Sequence, residues 1–362
     1  RGAYESLCGE RGWQRVHFVG HVEPSSLSRY LALGDLFVFP TLSDTFGAVL
    51  SEAMAAELPA LASIHAAATQ DLVQNGLNGW AFDPLQPGVG ATRALEFLAV
   101  SPKQQRTMGQ AAYQAVRHTD IAPAADEIVR FLESVDVSHP NGGSNRSEPG
   151  CEAGRDRVPV VIVGPTPPPY HGVAMAIKTL LDHKLHESFE VYHLELADRR
   201  GIGHVNKPDL HDVVLFVRQW FELLELLFRH RPHIVYLVLS QSTVGVLRDS
   251  LFIWPARLLG AKVVAHLHGG GFQHWYARRW FPMRWYARVL MRTVNRAIVL
   301  GESLRGQFDG LVASERIAVV PNGIPDCGVG CVNTPRLRRR WQVLCLNTLN
   351  KMKGALVLLE AI

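Results

Sequence analysis

The stretch LSDTFGAVLSEAMAAELP, at residues 42–59, constrains the fold because it joins two short apolar runs through a polar turn and a helical pattern. The run before it, LFVFP, is apolar and aromatic, which predicts a buried strand. The residues from Ser43 to Thr45 favour a helix start, and the apolar residues that follow have helical spacing. Pro59 ends the helix, and PALASI then predicts a second short strand. A strand, a helix and a strand in this order are typical of a parallel α/β sheet.

Two carboxylates, Asp44 and Glu52, stand eight positions apart across that junction. A helix N-terminus presents unpaired N–H groups and a partial positive charge, so it can hold a phosphate. Gly47 lets a ligand approach this backbone closely. Glu52 can accept hydrogen bonds from a ribose diol, and Asp44 can do the same for a sugar. From the spacing alone, a capping Asp and a solvated helix Glu are the simpler interpretation.

The same stretch resembles the E-x7-E signature of retaining glycosyltransferases with the GT-B fold, in particular family 4, with Asp44 at the first position and Glu52 at the second. The longer run VHFVGHVEPSSLSRYLALGDLFVFPTLSDTFG resembles the C-terminal nucleotide-binding domain of that family. The resemblance implies that Glu52 binds the nucleotide ribose and that Asp44 lies near the donor sugar. Phe46 and Gly47, between the two acids, are assigned to the donor site with them.

Composition limits the remaining classes of protein. The chain has 362 residues, 47% of them hydrophobic and 19% charged, which predicts two or three globular domains. A net charge of +4 does not by itself indicate a nucleic-acid partner. Five scattered cysteines argue against a disulfide framework and for a reducing, cytoplasmic compartment. No apolar run reaches transmembrane length, and no signal-peptide pattern is visible.

Strand and helix patterns divide the chain into two α/β parts. Residues 1–136 alternate helices with the short strands VHFVG, LFVFP, PALASI and WAFDP. Residues 137–157 are rich in Gly, Ser, Pro and charge, which predicts a flexible linker. From residue 158 a second alternation begins, with an apolar helix at 211–230 and strands at VPVVIVG, FEVYHLEL, HIVYLVLS, KVVAHLHG, RAIVLG and RIAVVP. Each part therefore predicts a parallel sheet.

The resemblance also assigns the parts, in an unusual order. Residues 1–136 resemble part of a C-terminal nucleotide-sugar-binding domain, residues 158–326 resemble the N-terminal acceptor-side domain, and residues 341–362 resemble the first strand, loop and helix of a C-terminal domain. The implied fold is two Rossmann-like parallel-sheet domains of GT-B type. The chain is either a window cut from two tandem glycosyltransferases, which its ends favour, or a circular permutation of one. In both cases residues 341–362 would supply a unit that residues 1–136 lack, although a short strand and a glycine turn are missing.

Lys353 follows a predicted strand and precedes a helix, where a point charge can meet a diphosphate. Lys353 and Gly354 match the KG element of the family, which implies that Lys353 binds the donor phosphates. The family usually has an Arg five positions earlier, and Thr348 stands there instead. An ordinary surface lysine is the alternative.

The loop PPPYHGVA lies between the first strand of the second part and its helix, in the position of a phosphate-binding turn. It lacks the G-x-G-x-x-G pattern, so nicotinamide binding is poorly supported. Gly172 would permit a close approach of the donor or the acceptor, and His171 could donate a hydrogen bond. A purely structural proline loop is an equal alternative.

HLHGGGF follows the apolar strand KVVA, and ligands bind at the carboxyl ends of strands in open α/β sheets. The family has a His at this strand end near the donor sugar. His268 is the best match, which implies a hydrogen bond to the transferred sugar, and His266 is second. A structural strand-end histidine is the alternative.

Aromatic and Arg residues interleave in WYARRWFPMRWYARVLMR, at residues 275–292. This pattern fits nucleic-acid stacking, a membrane-surface patch or an acceptor site. An amphipathic helix packed on its own sheet is equally consistent with it. Since nothing else in the sequence supports nucleic acid, we expect no nucleic-acid partner.

The resemblance implies a retaining glycosyltransferase that moves a sugar from a nucleotide-diphosphate sugar to a glycan or lipid-linked acceptor, and the aromatic and basic segment at residues 275–292 suits peripheral membrane contact. No cofactor is expected beyond the donor substrate. No metal is expected either, because the sequence has no D-x-D, and Cys327 and Cys331 have no second ligand pair. Two alternatives stay open. One is a non-catalytic nucleotide-sugar-binding or scaffold half of a tandem enzyme, and the other is a sugar-nucleotide epimerase on a related fold.

Overall fold

The computed structural model describes residues 2–117, 121–135, 157–168, 172–183, 185–196, 210–323, 341–347 and 351–360. The chain folds into two compact units. Unit 1 combines Arg1–Asp120 with Ile324–Ile362, and unit 2 is Ile121–Gly323. Most of the predicted linker, and Cys327 and Cys331, lie outside the described residues. Cys8 and Cys345 are free thiols.

Unit 1 is built on a four-stranded parallel sheet with the order β10 (Val343–Leu344), β1 (Leu36–Phe39), β2 (Ala60–Ser63) and β3 (Gly79–Phe82). Strands β1, β2 and β3 are short, nearly continuous apolar runs buried between helices, as parallel strands usually are. Its elements are α1 (Gly2–Glu10), α2 (Pro24–Leu31), β1 (Leu36–Phe39), α3 (Ala48–Ala55), β2 (Ala60–Ser63), α4 (Ala67–Leu72), β3 (Gly79–Phe82), α5 (Pro87–Ala99), α6 (Pro102–Val116), β10 (Val343–Leu344) and α14 (Ala355–Glu360). A 3₁₀ turn, Lys351–Lys353, precedes α14.

Strand β10, near the end of the chain, adds an edge strand to the sheet of unit 1. Strand β10 runs parallel to β1, with Leu36 opposite Val343 and Phe37 opposite Leu344. The backbone N–H of Asp35 donates to the carbonyl of Gln342 at 2.7 Å, and the Asp35 carboxylate accepts from the N–H of Gln342 at 2.8 Å. These bonds fix the register of β10 against β1.

Three local predictions for unit 1 were wrong. The helix after β1 begins at Ala48 rather than at Ser43–Thr45, because Gly47 takes a left-handed conformation and caps it. That helix ends at Ala55, before the turn at Glu57 and well before Pro59. In the described part of the chain, residues 16–20 (VHFVG) join neither sheet, and Val19 is 55% exposed.

Unit 2 is built on a six-stranded parallel sheet with the order β5 (Phe189–Glu195), β4 (Val158–Gly164), β6 (Ile234–Val238), β7 (Lys262–Leu267), β8 (Arg296–Val299) and β9 (Ile317–Val319). The order reverses at β4, so the loops after β4 and β6 meet at a topological switch point. Its elements are α7 (Ile121–Glu133), β4 (Val158–Gly164), α8 (Gly172–Asp182), α9 (Leu185–Ser188), β5 (Phe189–Glu195), α10 (Leu210–His230), β6 (Ile234–Val238), α11 (Thr243–Leu258), β7 (Lys262–Leu267), α12 (Phe272–Ala277), α13 (Phe281–Thr293), β8 (Arg296–Val299) and β9 (Ile317–Val319). The 3₁₀ helix Glu302–Phe308 follows β8.

The predicted class, two Rossmann-like parallel sheets covered by helices, is confirmed. The boundary between the units differs from the predicted end of the first part at residue 136. Helix α7 packs with unit 2, where Ile128 and Leu132 join the core that contains Val160 and Ile162 of β4. Within the described ranges, no helix has both the length and the apolar character that crossing a bilayer requires.

Candidate active site

The loop after β1 in unit 1 is held by the turn that precedes α14. The backbone N–H groups of Leu42 and Ser43 donate to the carbonyl of Met352 at 2.8 and 3.2 Å. The Thr41 hydroxyl donates to the carbonyl of Ser43 at 2.9 Å and lies 3.2 Å from that of Met352. This backbone network places residues 41–44 against residues 351–353.

Only a glycine fits at position 354 in this arrangement. Its φ is +73°, in the left-handed region, and a Cβ at this position would lie 1.7 Å from the carbonyl oxygen of Pro40. A side chain would therefore push the turn away from the end of β1. Packing alone therefore requires the glycine of the KG element, whether or not a ligand binds.

Lys353 and Asp44 form an ion pair at this junction. The Lys353 side chain is 28% exposed and that of Asp44 is 21% exposed. The Lys353 ammonium also lies 3.4 Å from the carbonyl of Ser43, and the Asn347 amide donates to the carbonyl of Lys353 at 2.5 Å. Asp44 is therefore not the helix cap that local spacing suggested; its backbone forms an isolated parallel bridge with Ala66.

Phe46 and Gly47 form the turn into α3. Gly47 has a φ of +94°, and a Cβ here would lie 2.9 Å from the ring of Phe39. Phe46 is buried, and its carbonyl accepts from the N–H of Ala68 at 2.8 Å. Both residues thus shape the backbone at the N-terminus of α3, and their contact with a nucleotide stays a prediction.

Glu52 lies in α3, and its neighbours Leu50, Ala53 and Met54 are buried in unit 1. Burial raises the pKa of the Glu52 carboxyl to about 7. A hydroxyl that donates a hydrogen bond to the ionised form of such a carboxyl stabilises that form. This behaviour is the one expected of an acid that receives the hydroxyls of a ligand.

In unit 2, His268 directly follows β7, at the carboxyl edge of the sheet. The ring of His266 lies 3.9 Å from that of His268, centroid to centroid, with a tilt of 33°. The hydroxyl of Tyr236, on β6, is hydrogen-bonded to Nδ1 of His266. Burial, and to a smaller extent His268, hold the pKa of His266 well below its usual value, so His266 stays neutral. His266 is therefore a buried, neutral neighbour of His268.

Tyr236 and Gln241 were not predicted from the sequence. Tyr236 is the one polar side chain in the strand run IVYLV, which was a usable signal. Gln241 accepts from the N–H of Gly271 at 2.7 Å, and a Cβ on Gly269 would fall 1.1 Å from its amide nitrogen. The segment after His268 therefore requires glycine, since the Gln241 side chain occupies the space beside it.

The loop after β4 is described only in part. Gly172 begins α8 and is exposed. His171 lies outside the described residues, as does Thr348. In the ranges that the structure describes, no group of three or more His, Cys, Asp or Glu side chains could hold a metal ion.

Comparisons with known proteins match both units. Residues 2–99 match the profile described as glycosyl transferases group 1, and residues 152–326 match the profile described as glycosyltransferase family 4. The chain belongs to the family 4 glycosyltransferases. A sulfoquinovosyl transferase of Arabidopsis thaliana is 32% identical over 114 residues, which are 31% of this chain and 22% of that protein. The matched part of this family 4 chain thus spans less than a quarter of that relative.

Proposed function

We propose that this family 4 protein is a retaining hexosyltransferase that moves a sugar from a nucleotide-diphosphate donor to a glycan or lipid-linked acceptor. The observation that carries the proposal is the position of Lys353 beside Asp44, at the turn that leads into α3 and Glu52. A cation, a helix N-terminus and a partly buried acid are the groups that a diphosphate joined to a ribose requires.

The proposed role of Lys353 is electrostatic. Its ammonium and the N–H groups at the start of α3 would stabilise the negative charge that develops on the diphosphate as the sugar leaves. Asp44 holds Lys353 in place before the donor arrives, so less side-chain freedom is lost on binding. Because these groups already balance the diphosphate, the proposal requires no divalent ion and no cofactor.

The proposed role of Glu52 is to bind the ribose. Its carboxyl, with a pKa of about 7, can accept two hydroxyl hydrogen bonds when it is ionised. Those bonds would replace the water that burial has removed. Phe46 and Gly47 shape the backbone that approaches the nucleotide, and Asp44 would also accept from the donor sugar.

In unit 2 the proposed residues are His268, His171 and Gly172. For His268, at the end of β7, the support is the family resemblance together with the neutral His266 behind it. A hydrogen bond from His268 to the transferred sugar would orient the sugar without a covalent intermediate on the protein. His171 and Gly172 would contact the donor or the acceptor from the loop after β4.

The proposed setting is polysaccharide or glycolipid assembly on the cytoplasmic side of a membrane, with peripheral contact to its surface and no nucleic-acid partner. Because the Arabidopsis relative is a sulfoquinovosyl transferase, a sulfoquinovosyl nucleotide should be tested among the donors.

A second candidate is a non-catalytic nucleotide-sugar-binding or scaffold module. It is favoured by Thr348, which stands where the family usually supplies a second cation. Removing one of two cationic contacts would weaken stabilisation of the leaving group more than it weakens binding of the nucleotide.

Assays of the intact chain separate the two candidates. Hydrolysis and transfer would be measured with uridine, guanosine, adenosine and thymidine diphosphate sugars, beside binding of each bare nucleotide. The enzyme proposal expects release of the nucleoside diphosphate that is abolished by Asp44→Asn and by Lys353→Met. Nucleotide binding without turnover, unchanged in Asp44→Asn, would instead establish the silent module.

A further inference from the structure

Helix α11 in unit 2 presents an aliphatic stripe on its outer side. All four of its exposed side chains are aliphatic: Val244 at 76%, Leu247 at 45%, Leu251 at 45% and Leu258 at 82%. They recur at helical spacing, so they lie along one side of the helix. The opposite side already packs on the sheet through Val246, Phe252, Ile253 and Ala256. The outer stripe is therefore not needed for the core.

Helices α10 and α13 flank α11 and extend this surface. The indole N–H of Trp220 donates to the carbonyl of Leu251 at 3.1 Å, which ties α10 to α11. The Tyr286 hydroxyl bonds to that of Ser250, which ties α13 to α11. On α10 the exposed apolar side chains are Val213, Val214, Val217, Phe221 and Phe228. We call the outer side of α10, α11 and α13 the three-helix face.

The α13 edge of this face is aromatic and basic. Trp280 is 72% exposed, Phe281 78% and Trp285 59%. The inner side of α13 packs on the unit through other residues: Met283, Ala287, Leu290 and Met291. Residues 272–293 contain five Arg and no acidic residue. On α10 the charges are mixed, so the excess positive charge lies along the edge formed by α12 and α13.

We propose that the three-helix face binds the surface of a membrane that contains anionic lipids. Aliphatic side chains can enter the acyl boundary, while Trp and Arg side chains suit the level of the headgroups. The Arg side chains Arg284, Arg288 and Arg292 are exposed, so they can meet lipid phosphates. The charge complementarity is therefore with an anionic surface.

A second copy of the chain fits this face less well. A two-fold contact brings the same patch of both copies together, and one that joined the α13 edge to itself would leave its Arg side chains without acids to balance them. The membrane assignment deepens the proposed function, because a lipid-linked acceptor is reached at a bilayer. It does not depend on that function, since vesicle binding is measured without a donor or an acceptor.

The test uses the intact chain and vesicles of phosphatidylcholine, with or without phosphatidylglycerol. We expect co-sedimentation with the anionic vesicles, weakened by salt. The variant Trp280→Ser/Phe281→Ser/Trp285→Ser should lower the partition coefficient at least about tenfold, and Arg288→Gln/Arg292→Gln should lower it about tenfold. The matched controls lie in unit 1, at exposed positions: Leu85→Ser/Leu95→Ser and Lys103→Gln/Arg106→Gln should bind as the wild type does.

Several outcomes would overturn the proposal. Wild-type chain that ignores anionic vesicles would do so, and so would variants of the face that bind as tightly as the controls. Because the substituted side chains are exposed, an unchanged circular dichroism spectrum should accompany the loss. A chain that is dimeric in solution, becomes monomeric in the aromatic variant and ignores vesicles would make this face a contact between copies. Vesicle binding in a chain that transfers no sugar would separate this inference from the proposed function.

Discussion

Lys353 and Asp44 form an ion pair although 309 positions of sequence separate them. Asp44 follows β1, and Lys353 lies in the turn before α14. The pairing of β10 with β1 and the bonds to the carbonyl of Met352 bring the two side chains together. The proposed donor site therefore depends on the docking of the end of the chain onto the sheet of unit 1.

Replacing Lys353 should weaken binding of the diphosphate specifically. Lys353→Met removes a charged donor, and hydrogen bonds to charged groups contribute about 1.5–3 kcal/mol. We expect titration calorimetry to show about a tenfold to hundredfold loss in affinity for nucleoside diphosphates and little change for nucleosides. Lys351→Met, in the same turn, is the matched control because Lys351 is exposed. An equal loss for the nucleoside would show that Lys353 only maintains the fold.

Gly354 should tolerate no side chain. In Gly354→Ala the new Cβ meets the Pro40 carbonyl at a left-handed backbone position, so we expect unit 1 to lose about 3 kcal/mol of unfolding free energy. Gly88→Ala is the control, since no atom lies within 4 Å of a Cβ there. It should stay within about 1 kcal/mol of the wild type, on the stabilising side. Equal urea midpoints for the two variants would contradict the described docking of residues 351–354.

Much of the fold could be predicted from the sequence, because buried parallel strands are short apolar runs bounded by turns. Every strand expected in residues 158–326 is present, and residues 341–360 contain the expected strand and helix. The strand predicted at VHFVG is absent because an apolar run forms a strand only when another strand pairs with it. The predicted start of the helix after β1 was wrong because Gly47 adopts a left-handed conformation, which spacing alone does not reveal.

The candidate site was harder to predict than the fold. Spacing placed Asp44 and Glu52 at one junction, and the position of Lys353 between a predicted strand and a helix suggested a phosphate contact, but no local pattern indicated that Lys353 pairs with Asp44. Tyr236 and Gln241 act through contacts between neighbouring strands and loops, which a linear pattern does not encode. The stripe on α11 has the same apolar period as a buried face, so the sequence could not show which side of the helix would remain exposed.

Glu52 should cost stability at neutral pH. The pKa of the Glu52 carboxyl is about 7 in the folded chain and lies above the usual glutamate value of 4.5. Between these two pH values the folded state therefore holds a proton that the unfolded state has lost. Stability from this group is therefore present at low pH and falls as the pH rises towards 7. Glu52→Gln should match the wild type near pH 4 and exceed it by about 3 kcal/mol at pH 8. The same variant should bind nucleoside diphosphates more weakly. Parallel stability curves for the two proteins would contradict the burial of this carboxyl.

Acid should destabilise unit 2 through His266. Burial lowers its pKa, so below pH 6.5 the unfolded chain takes up a proton that the folded chain excludes. The stability difference between the wild type and Tyr236→Phe/His266→Leu should therefore change with pH only below about 6.5. Tyr236→Phe alone leaves the buried Nδ1 of His266 without its hydrogen-bond partner, and should cost about 1–3 kcal/mol. A pH-independent difference in urea unfolding would show that His266 titrates normally.

Hydrogen exchange measured by mass spectrometry tests the central claim most directly, because it reports both halves of the proposed donor site in one experiment. The intact chain would be compared with and without a saturating nucleoside diphosphate, chosen by titration. The account predicts added protection in residues 41–52 and, in the same sample, in residues 351–354, and less added protection in Lys353→Met at the same ligand concentration. Protection confined to one of these segments, or found only in unit 2, would contradict a donor site built from Asp44, Glu52 and Lys353.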